Sequence, residues 1–418
     1  MTLQSSIATA WHWPPNRTEP VVVGDLVDMG QRFGFRYRAA YREGFPGSLG
    51  IAPELPAAEG CEVILPQEGL SLPGCIRDAA PDAWGRRVLQ AAMSGTSPRS
   101  DSTEPSDLDA LLIPAFDRVG ALGFTDGAEP PQRPTTAYPT LDELHRWIAE
   151  VDLGGHQSWD AALQLLPHSG VGGARPKALI EWNGVPIIAK FQTASDHAPV
   201  PQLEFIAMRL AQAVGIDVAS TELTEVGGRP VLLVRRFDRE PGLGGWCRRF
   251  IVSGLTVLGL DEMMARYASY ADLARHMEAS SADPDRDRRE LFRRLVFNVI
   301  CGNTDDHARN HAFYYADGKL SLSPAFDICP QSRTGGEATQ AMAIRDGVRW
   351  SSLAACIEAA PMFGLDPEEA RTEASRQLQV VEDQWARVCD EAQLPVAWRT
   401  RVWGTVFCNP FALRGVAA

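Results

Sequence analysis

The chain has 418 residues, 45% of them hydrophobic and 22% charged, and 53 acidic against 40 basic side chains give a formal net charge of −13. That describes a globular protein of two or three domains, and the acidic balance argues against extensive nucleic-acid binding by this chain alone, which rests on cationic neutralisation of phosphates. No uninterrupted apolar run reaches membrane-spanning length, the opening MTLQSSIATAWHWPP has neither the basic start nor the apolar centre of a secretion signal, and the eight cysteines form no C-x-x-C pair, so a cytoplasmic protein with reduced thiols is expected.

In chain order, residues 1–19 read as a loose leader, and Val21 to Val23 begin the ordered part. Phe33 to Arg38 alternates apolar and basic residues, the pattern of a half-buried strand. Cys61 to Leu65 is a further short apolar run, and Pro81-Asp82-Ala83-Trp84-Gly85-Arg86-Arg87 opens a helix with Pro and an acid at its start. Arg118 to Phe124 turns into a strand. Thr125 to Thr140, with four prolines among small polar residues, is a linker.

Leu141 to Ile148 is helical. A glycine-rich stretch, Ser169 to Arg175, leads into Ala178 to Trp182, and Asn183-Gly184 is a hairpin signal before the return strand Pro186 to Phe191. The order is that of a kinase N-lobe, in which glycines let backbone N–H groups approach phosphates and a strand lysine pairs them. Lys190 stands at that lysine's place. No G-K-[ST] closes the loop, so it is not a Walker A sequence. Gln202 to Val214 is an amphipathic helix whose Glu204 either pairs with Lys190 or complements the helix dipole. Val231 to Arg239 reads as one continuous buried strand ending in charge. Helices are expected over Tyr270 to Glu278, Arg288 to Cys301, Ser352 to Ala360, Glu368 to Glu391 and Ala397 to Phe407.

The segment LFRRLVFNVICGNTDDHARNHAFYYADGKLSLSPAFDICP, Leu291 to Pro330, carries the densest chemistry. A helix stops at Gly302, a polar loop follows, and Asp317-Gly318 turns a hairpin before Phe326-Asp327-Ile328. Kinase catalytic loops run D-x-x-x-x-N with a later metal-holding aspartate. Asp305 and Asn310 have that spacing and Asp306 does not. Asp305 is therefore the expected group that orients or deprotonates an attacking hydroxyl, with Asn310 and Asp327 as hard oxygen ligands for Mg²⁺. His307 is read as bracing the loop and His311 as structural.

Taken together, LPGCIRDAAPDAWGRRVL, DRVGALGF, GGARPKALI, IIAKF, the Glu204 helix, VRRFDR, GNTDDHARN and PAFDI resemble, in order, the HipA family of bacterial Ser/Thr kinases, toxins of type II toxin–antitoxin modules. The resemblance implies an α+β fold. A mixed β/α subdomain would occupy residues 20–125 and a linker 126–140. A kinase N-lobe over 141–240 and a helical C-lobe over 241–418 would follow. It implies ATP and Mg²⁺ as cofactors, with Lys190 on the ATP phosphates and Glu204 supporting it. Gly172, Gly173, Ala174 and Arg175 would lie in the phosphate-covering loop and Phe237 against adenine. Asp305 would be catalytic, and Asn310 and Asp327 would bind metal. Family members autophosphorylate a loop serine seven residues before the lysine matching Lys177. That position is Gly170 here, and the neighbouring Ser169 is the candidate. The implied partners are a small helix-turn-helix antitoxin, which supplies most of the DNA contact, and a protein substrate in translation, such as an aminoacyl-tRNA synthetase.

Other classes fit part of the pattern. A catalytically silent kinase fold acting as a binding protein or co-repressor would keep ATP binding without transfer. A metal-dependent hydrolase would use Asp305, Asp306, His307 and His311 as ligands. A small-molecule kinase would share the lobes and differ in its substrate.

Overall fold

A computed structural model describes residues 6–45, 49–57, 62–94, 105–112, 116–132, 138–153, 158–170, 172–194, 196–333 and 336–416. The chain divides into two compact units. The first comprises Met1–His197, Thr224–Val252 and Tyr315–Gly318, and the second Ala198–Leu223, Ser253–Tyr314 and Lys319–Ala418.

Among the described residues the first unit holds two four-stranded sheets. One is antiparallel, formed by β1 (Ser6–His12), β2 (Val21–Asp28), β3 (Phe33–Tyr37) and β4 (Leu122–Thr125) in the order β3-β2-β1-β4. The expected loose leader is thus in part an interior strand. Ala10 faces Gly24 on one side and Phe124 on the other, and Ala8, Ala10 and Trp11 are buried. The sequence hides this because one partner, β4, comes from far along the chain and gives no local signal. Of the run Cys61 to Leu65, Cys61 lies outside the described residues, and Ile64 alone bridges to Phe35.

The second sheet is formed by β5 (Lys177–Trp182), β6 (Val185–Phe191), β7 (Thr221–Val226) and β8 (Arg229–Arg235), ordered β5-β6-β8-β7. Asn183 and Gly184 both have positive φ, 52° and 76°, as a tight right-twisting hairpin demands. Three helices share one core with this sheet: α1 (Ala83–Ser94), α2 (Leu141–Leu153) and α3 (Ser158–Leu165). Trp84 and Val88 of α1 and Leu144 and Ile148 of α2 join Ile180 and Leu233 of the sheet there.

The strand expected through Arg239 stops at Arg235. Beyond it the chain enters a buried ionic cluster. Arg236 donates to Asp238 through Nε at 2.9 Å and a terminal nitrogen at 2.7 Å, and Arg239 reaches Asp117 at 2.7 Å and Asp238 at 3.0 Å. Asp238 also accepts the Gly120 N–H at 2.7 Å. Arg248 lies over the Trp13 ring, 3.4 Å from its centroid. Side-chain pairing of charge satisfies this turn together with backbone bonds from the Arg236 N–H to the Pro186 carbonyl at 3.1 Å and from the Arg249 N–H to the Asp238 carbonyl at 3.0 Å, and Arg239 then opens a short strand paired with Arg248. Burial opposes ionisation of Asp238, but Arg236 and Arg239 outweigh it and hold the carboxyl below its usual range. Burial pushes the Arg118 guanidinium down to about 10.

The second unit is mostly helical: α4 (Val200–Ala213), α5 (Tyr270–Ser280), α6 (Pro284–Cys301), α7 (Leu353–Ala359), α8 (Pro367–Glu391) and α9 (Val396–Val402). A hairpin, β9 (Ala312–Ala316) and β10 (Lys319–Leu322), follows α6. α8 begins with a capping box in which Asp366 and Glu369 satisfy each other's backbone N–H groups, with Pro367 in its first turn. α9 is shorter than expected: Gly404 is left-handed at φ 74°, and its N–H turns to the Phe407 carbonyl at 2.7 Å. Among the described residues no helix is long and apolar enough to cross a membrane.

Candidate functional site

The candidate catalytic loop is built on α6. Asp283 caps this helix by accepting the Arg286 N–H, and Pro284 occupies its first turn. Leu291, Phe292, Leu295, Val296, Val299 and Ile300 are fully buried, which fixes the helix in its unit. Gly302 closes it in a left-handed conformation, φ 74°. A Cβ there would come within 2.5 Å of the Val406 carbonyl oxygen, so glycine is required by space as well as by backbone.

Beyond Gly302 the two adjacent aspartates part. Asp306 is buried and accepts hydrogen bonds from the Tyr270 hydroxyl, from Asn298 Nδ2 at 2.8 Å and from His311 Nε2 at 2.9 Å. Burial alone would raise its pKa, but the His311 ring and the donated bonds keep it below the ordinary carboxylate value. Burial and the Asp306 charge push the Tyr270 hydroxyl well above its own. Asn298 Oδ1 accepts from Asn303 Nδ2 at 3.0 Å, Gln340 Nε2 donates to the Asn303 carbonyl at 3.2 Å, and Ala341 N–H donates to the Thr304 carbonyl at 2.9 Å. The inner wall of the loop is therefore tied at successive residues, and Asp305 is left exposed.

The loop closes with a single 3₁₀ turn, Ala308–Asn310. Gly254 N–H donates to the His311 carbonyl at 2.6 Å, and a Cβ on Gly254 would stand 2.7 Å from the Ala308 carbonyl oxygen. Asn310 is buried, and its backbone N–H is taken by the turn itself. Asp327 is half-buried with φ 57°. The chain just before it is held by the Ala325 N–H on the Asp217 carbonyl at 2.7 Å and by the Ala219 N–H on the Ala325 carbonyl at 2.9 Å. An amide oxygen and a carboxylate are a donor set that suits Mg²⁺. His311 ties the loop through Asp306, and His307 contributes its carbonyl to the Asn310 N–H at 2.8 Å. Asp306 and His311 are thereby bonded to one another, and among the described residues no group of three or more His, Cys, Asp or Glu is arranged to hold a metal ion.

The glycine-rich loop belongs to the first unit. Val171 lies outside the described residues. Gly173 is left-handed at φ 110° and donates its N–H to Asp82 Oδ1. Lys177 is buried and donates to the Gly172 carbonyl at 2.6 Å. Lys190, half-buried, stands directly opposite Lys177 across the β5–β6 pair and opposite Leu232 of β8. Ala174 and Arg175 are exposed, and Arg175 pairs with Asp196 at 2.7 Å. Ser169 is buried, its hydroxyl donating to the Leu166 carbonyl at 2.9 Å. Phe237 is half-buried between the ionic-cluster residues Arg236 and Asp238. Glu204, in the second unit, is buried in the second turn of α4 and not the first, so the helix-dipole explanation for an acid there lapses.

Three sets of residues escaped the sequence reading: the Tyr270–Asn298–Asp306 network, the Asp117–Asp238 cluster, and Asp82. Only the first left a signal, since Asn298 interrupts an otherwise apolar run, Val296 to Ile300.

Comparison with known proteins agrees with this architecture. The HipA-like C-terminal domain family matches residues 169–385, more than half of the chain. The serine/threonine-protein kinase toxin HipA of Shewanella oneidensis is 27% identical over 280 residues, 60% of this chain and 63% of that protein. Y4mE of Sinorhizobium fredii, named a candidate kinase, is 32% identical over 149 residues, 34% of each chain. These alignments span less than two thirds of the relatives' lengths. A solved complex of Shewanella oneidensis HipA with HipB and operator DNA superimposes with a TM-score of 0.67 at 19% identity, covering 97% of this chain and 99% of that one, a likeness of fold. Family match and shared architecture together make this chain a member of the HipA family.

Proposed function

We propose that the chain is an ATP-dependent serine/threonine protein kinase that transfers the γ-phosphate to a protein hydroxyl. The observation that carries this reading is the division of labour between the adjacent aspartates: Asp306 is consumed by a buried network while Asp305 is presented to solvent, at the spacing from Asn310 that a kinase base requires. Asp305 would orient the attacking hydroxyl and take up its proton. Asn310 and Asp327 would hold Mg²⁺, which when bound neutralises charge on the phosphates. Lys190 would contact the phosphates, supported by Glu204, the Gly172–Arg175 loop would cover them, and Phe237 would lie against adenine.

We further propose a small DNA-binding antitoxin of helix-turn-helix type as partner, carrying most of the DNA contact. The HipB and operator DNA in the solved relative and the −13 charge of this chain support that reading. The proposed substrate is a translation component of the aminoacyl-tRNA synthetase kind, and the proposed compartment is the cytoplasm, in keeping with the free thiols of Cys75, Cys247, Cys301, Cys329, Cys356, Cys389 and Cys408. Phosphorylation of Ser169 would require its hydroxyl to leave the Leu166 carbonyl first. Phosphopeptide mapping after incubation with ATP tests it, and an unmodified Ser169 in active protein would exclude it.

The test of the main reading is incubation with Mg²⁺ and γ-labelled ATP, alone and with a host lysate, beside Asp305→Asn. Label transferred by the wild type alone is the expected result. ATP binding without transfer in either would identify a silent kinase fold instead.

A further inference from the structure

The motif Pro81 to Arg87 has no part in the proposed chemistry, yet it meets the glycine-rich loop at every turn. Asp82 accepts the Gly173 N–H. The Trp84 N–H donates to the Gly173 carbonyl at 3.1 Å, and the Trp84 indole donates to the Lys177 carbonyl at 3.0 Å. Arg87 donates to the Ala174 carbonyl at 3.4 Å. The approach demands glycine at position 85 and leaves little room for a side chain at 172. A Cβ on Gly85 would lie 2.7 Å from the Ser169 carbonyl oxygen, and a Cβ on Gly172 would lie 3.0 Å from Asp82 Oδ2.

We infer that Pro81–Arg87 is the seat of the glycine-rich loop and that Asp82 is a positioning residue for nucleotide phosphate binding. The inference rests on the nucleotide-binding reading of that loop. Glycines make such a loop adaptable, and the same freedom must be given up when a ligand orders it. Here the ordering bonds exist before any ligand arrives, which lowers the entropic cost of binding. The bond from Gly173 to a carboxylate is charge-assisted and so among the stronger ones. Lys177, bonded to the Gly172 carbonyl, completes the support from the β5 side. If the carboxylate acted instead as a rival of the phosphate for the Gly173 N–H, its removal would tighten binding. If the contact were packing alone, removal would leave affinity unchanged.

The experiment is calorimetric titration of the full-length chain with Mg²⁺ and a non-hydrolysable ATP analogue. Wild type, Asp82→Ala and Asp82→Asn are compared, with thermal midpoints and hydrogen exchange of peptides covering residues 172–177. Asp82→Ala should raise Kd about tenfold, the scale of one lost charge-assisted hydrogen bond, with faster exchange in those peptides. Asp82→Asn keeps an acceptor oxygen and should recover most of the affinity. Trp84→Phe, which removes the indole N–H together with part of a buried ring, should raise Kd in the same direction and serves if Asp82→Ala does not fold and its own thermal midpoint shows that it does. An unchanged or lowered Kd in the variants overturns the inference. A wild type that binds no nucleotide overturns the nucleotide reading itself, so the two failures are distinguishable.

Discussion

Replacing Asp238 by alanine should be the most damaging single change in the first unit. Three buried guanidinium groups, those of Arg236, Arg239 and Arg248, meet there with two carboxylates, and Asp117 is the more exposed of the pair at 22% against 6%. Asp238 accepts from Arg236, Arg239 and the Gly120 N–H, and the half-buried Asp117 shares the two arginines with it. Without it two arginines lose a buried partner, a defect that costs about 3–5 kcal/mol. For a unit of this size that is a fall in melting temperature of roughly 10 °C. Asp238→Asn keeps the volume and one acceptor but not the charge, so it should retain less than half of the lost stability. Urea denaturation followed by near-ultraviolet circular dichroism is the assay. Two compact units need not unfold together, so the loss should fall on one transition. The sign with pH follows from the depressed carboxyl. Its contribution is complete above the ordinary aspartate value of about 3.9 and is lost as pH falls through the lower folded value. The variant should therefore have a flatter acid limb. A loss below about 1 kcal/mol, the scale of an exposed pair, would refute the reasoning.

Burial pushes His12 from 6.5 down to about 4, and its Nδ1 meets the Tyr41 hydroxyl at 2.8 Å. The unfolded chain takes up that proton first, so stability should fall as pH drops from 6.5 towards 4, by up to about 3 kcal/mol. Midpoints of His12→Asn that follow the wild-type pH dependence would contradict this. Asp305→Asn should leave the melting temperature within a degree or two and remove most phosphate transfer. Asp306→Ala strands three buried donors and should cost about 3 kcal/mol, as thermal scans of both variants would reveal. Gly254→Ala should destabilise the second unit by about 1–3 kcal/mol, because its Cβ meets a backbone oxygen that cannot step aside. Urea midpoints within error of wild type would show that the 308–311 turn can shift.

What the sequence made legible was what short-range chemistry dictates. Asn183-Gly184 and Asp317-Gly318 announce their hairpins because both central residues of such a turn need positive φ, and all four have it. The D-x-x-x-x-N spacing singles out Asp305, and of the two adjacent aspartates Asp305 is the exposed one and Asp306 the buried one. Long-range pairing stayed hidden. Nothing near Ser6–His12 names β4 as its neighbour. Nothing near Gly173 names Asp82, 91 positions away. Val231 to Arg239 looks like one strand because composition cannot distinguish a charged strand end from a charged turn buried against Asp117 and Gly120.

The shared core of α1, α2, α3 and the second sheet bears on where this protein can be cut. The family match opens at Ser169, after all three helices have ended. A fragment starting there would carry β5, β6 and β8 with Ile180, Ile187 and Leu233 laid bare along one side. A naked apolar sheet face of that kind recruits other copies of itself. The stretch that the family match covers is thus shorter than the stretch that can stand alone in water, and any soluble truncation must reach back at least to Pro81.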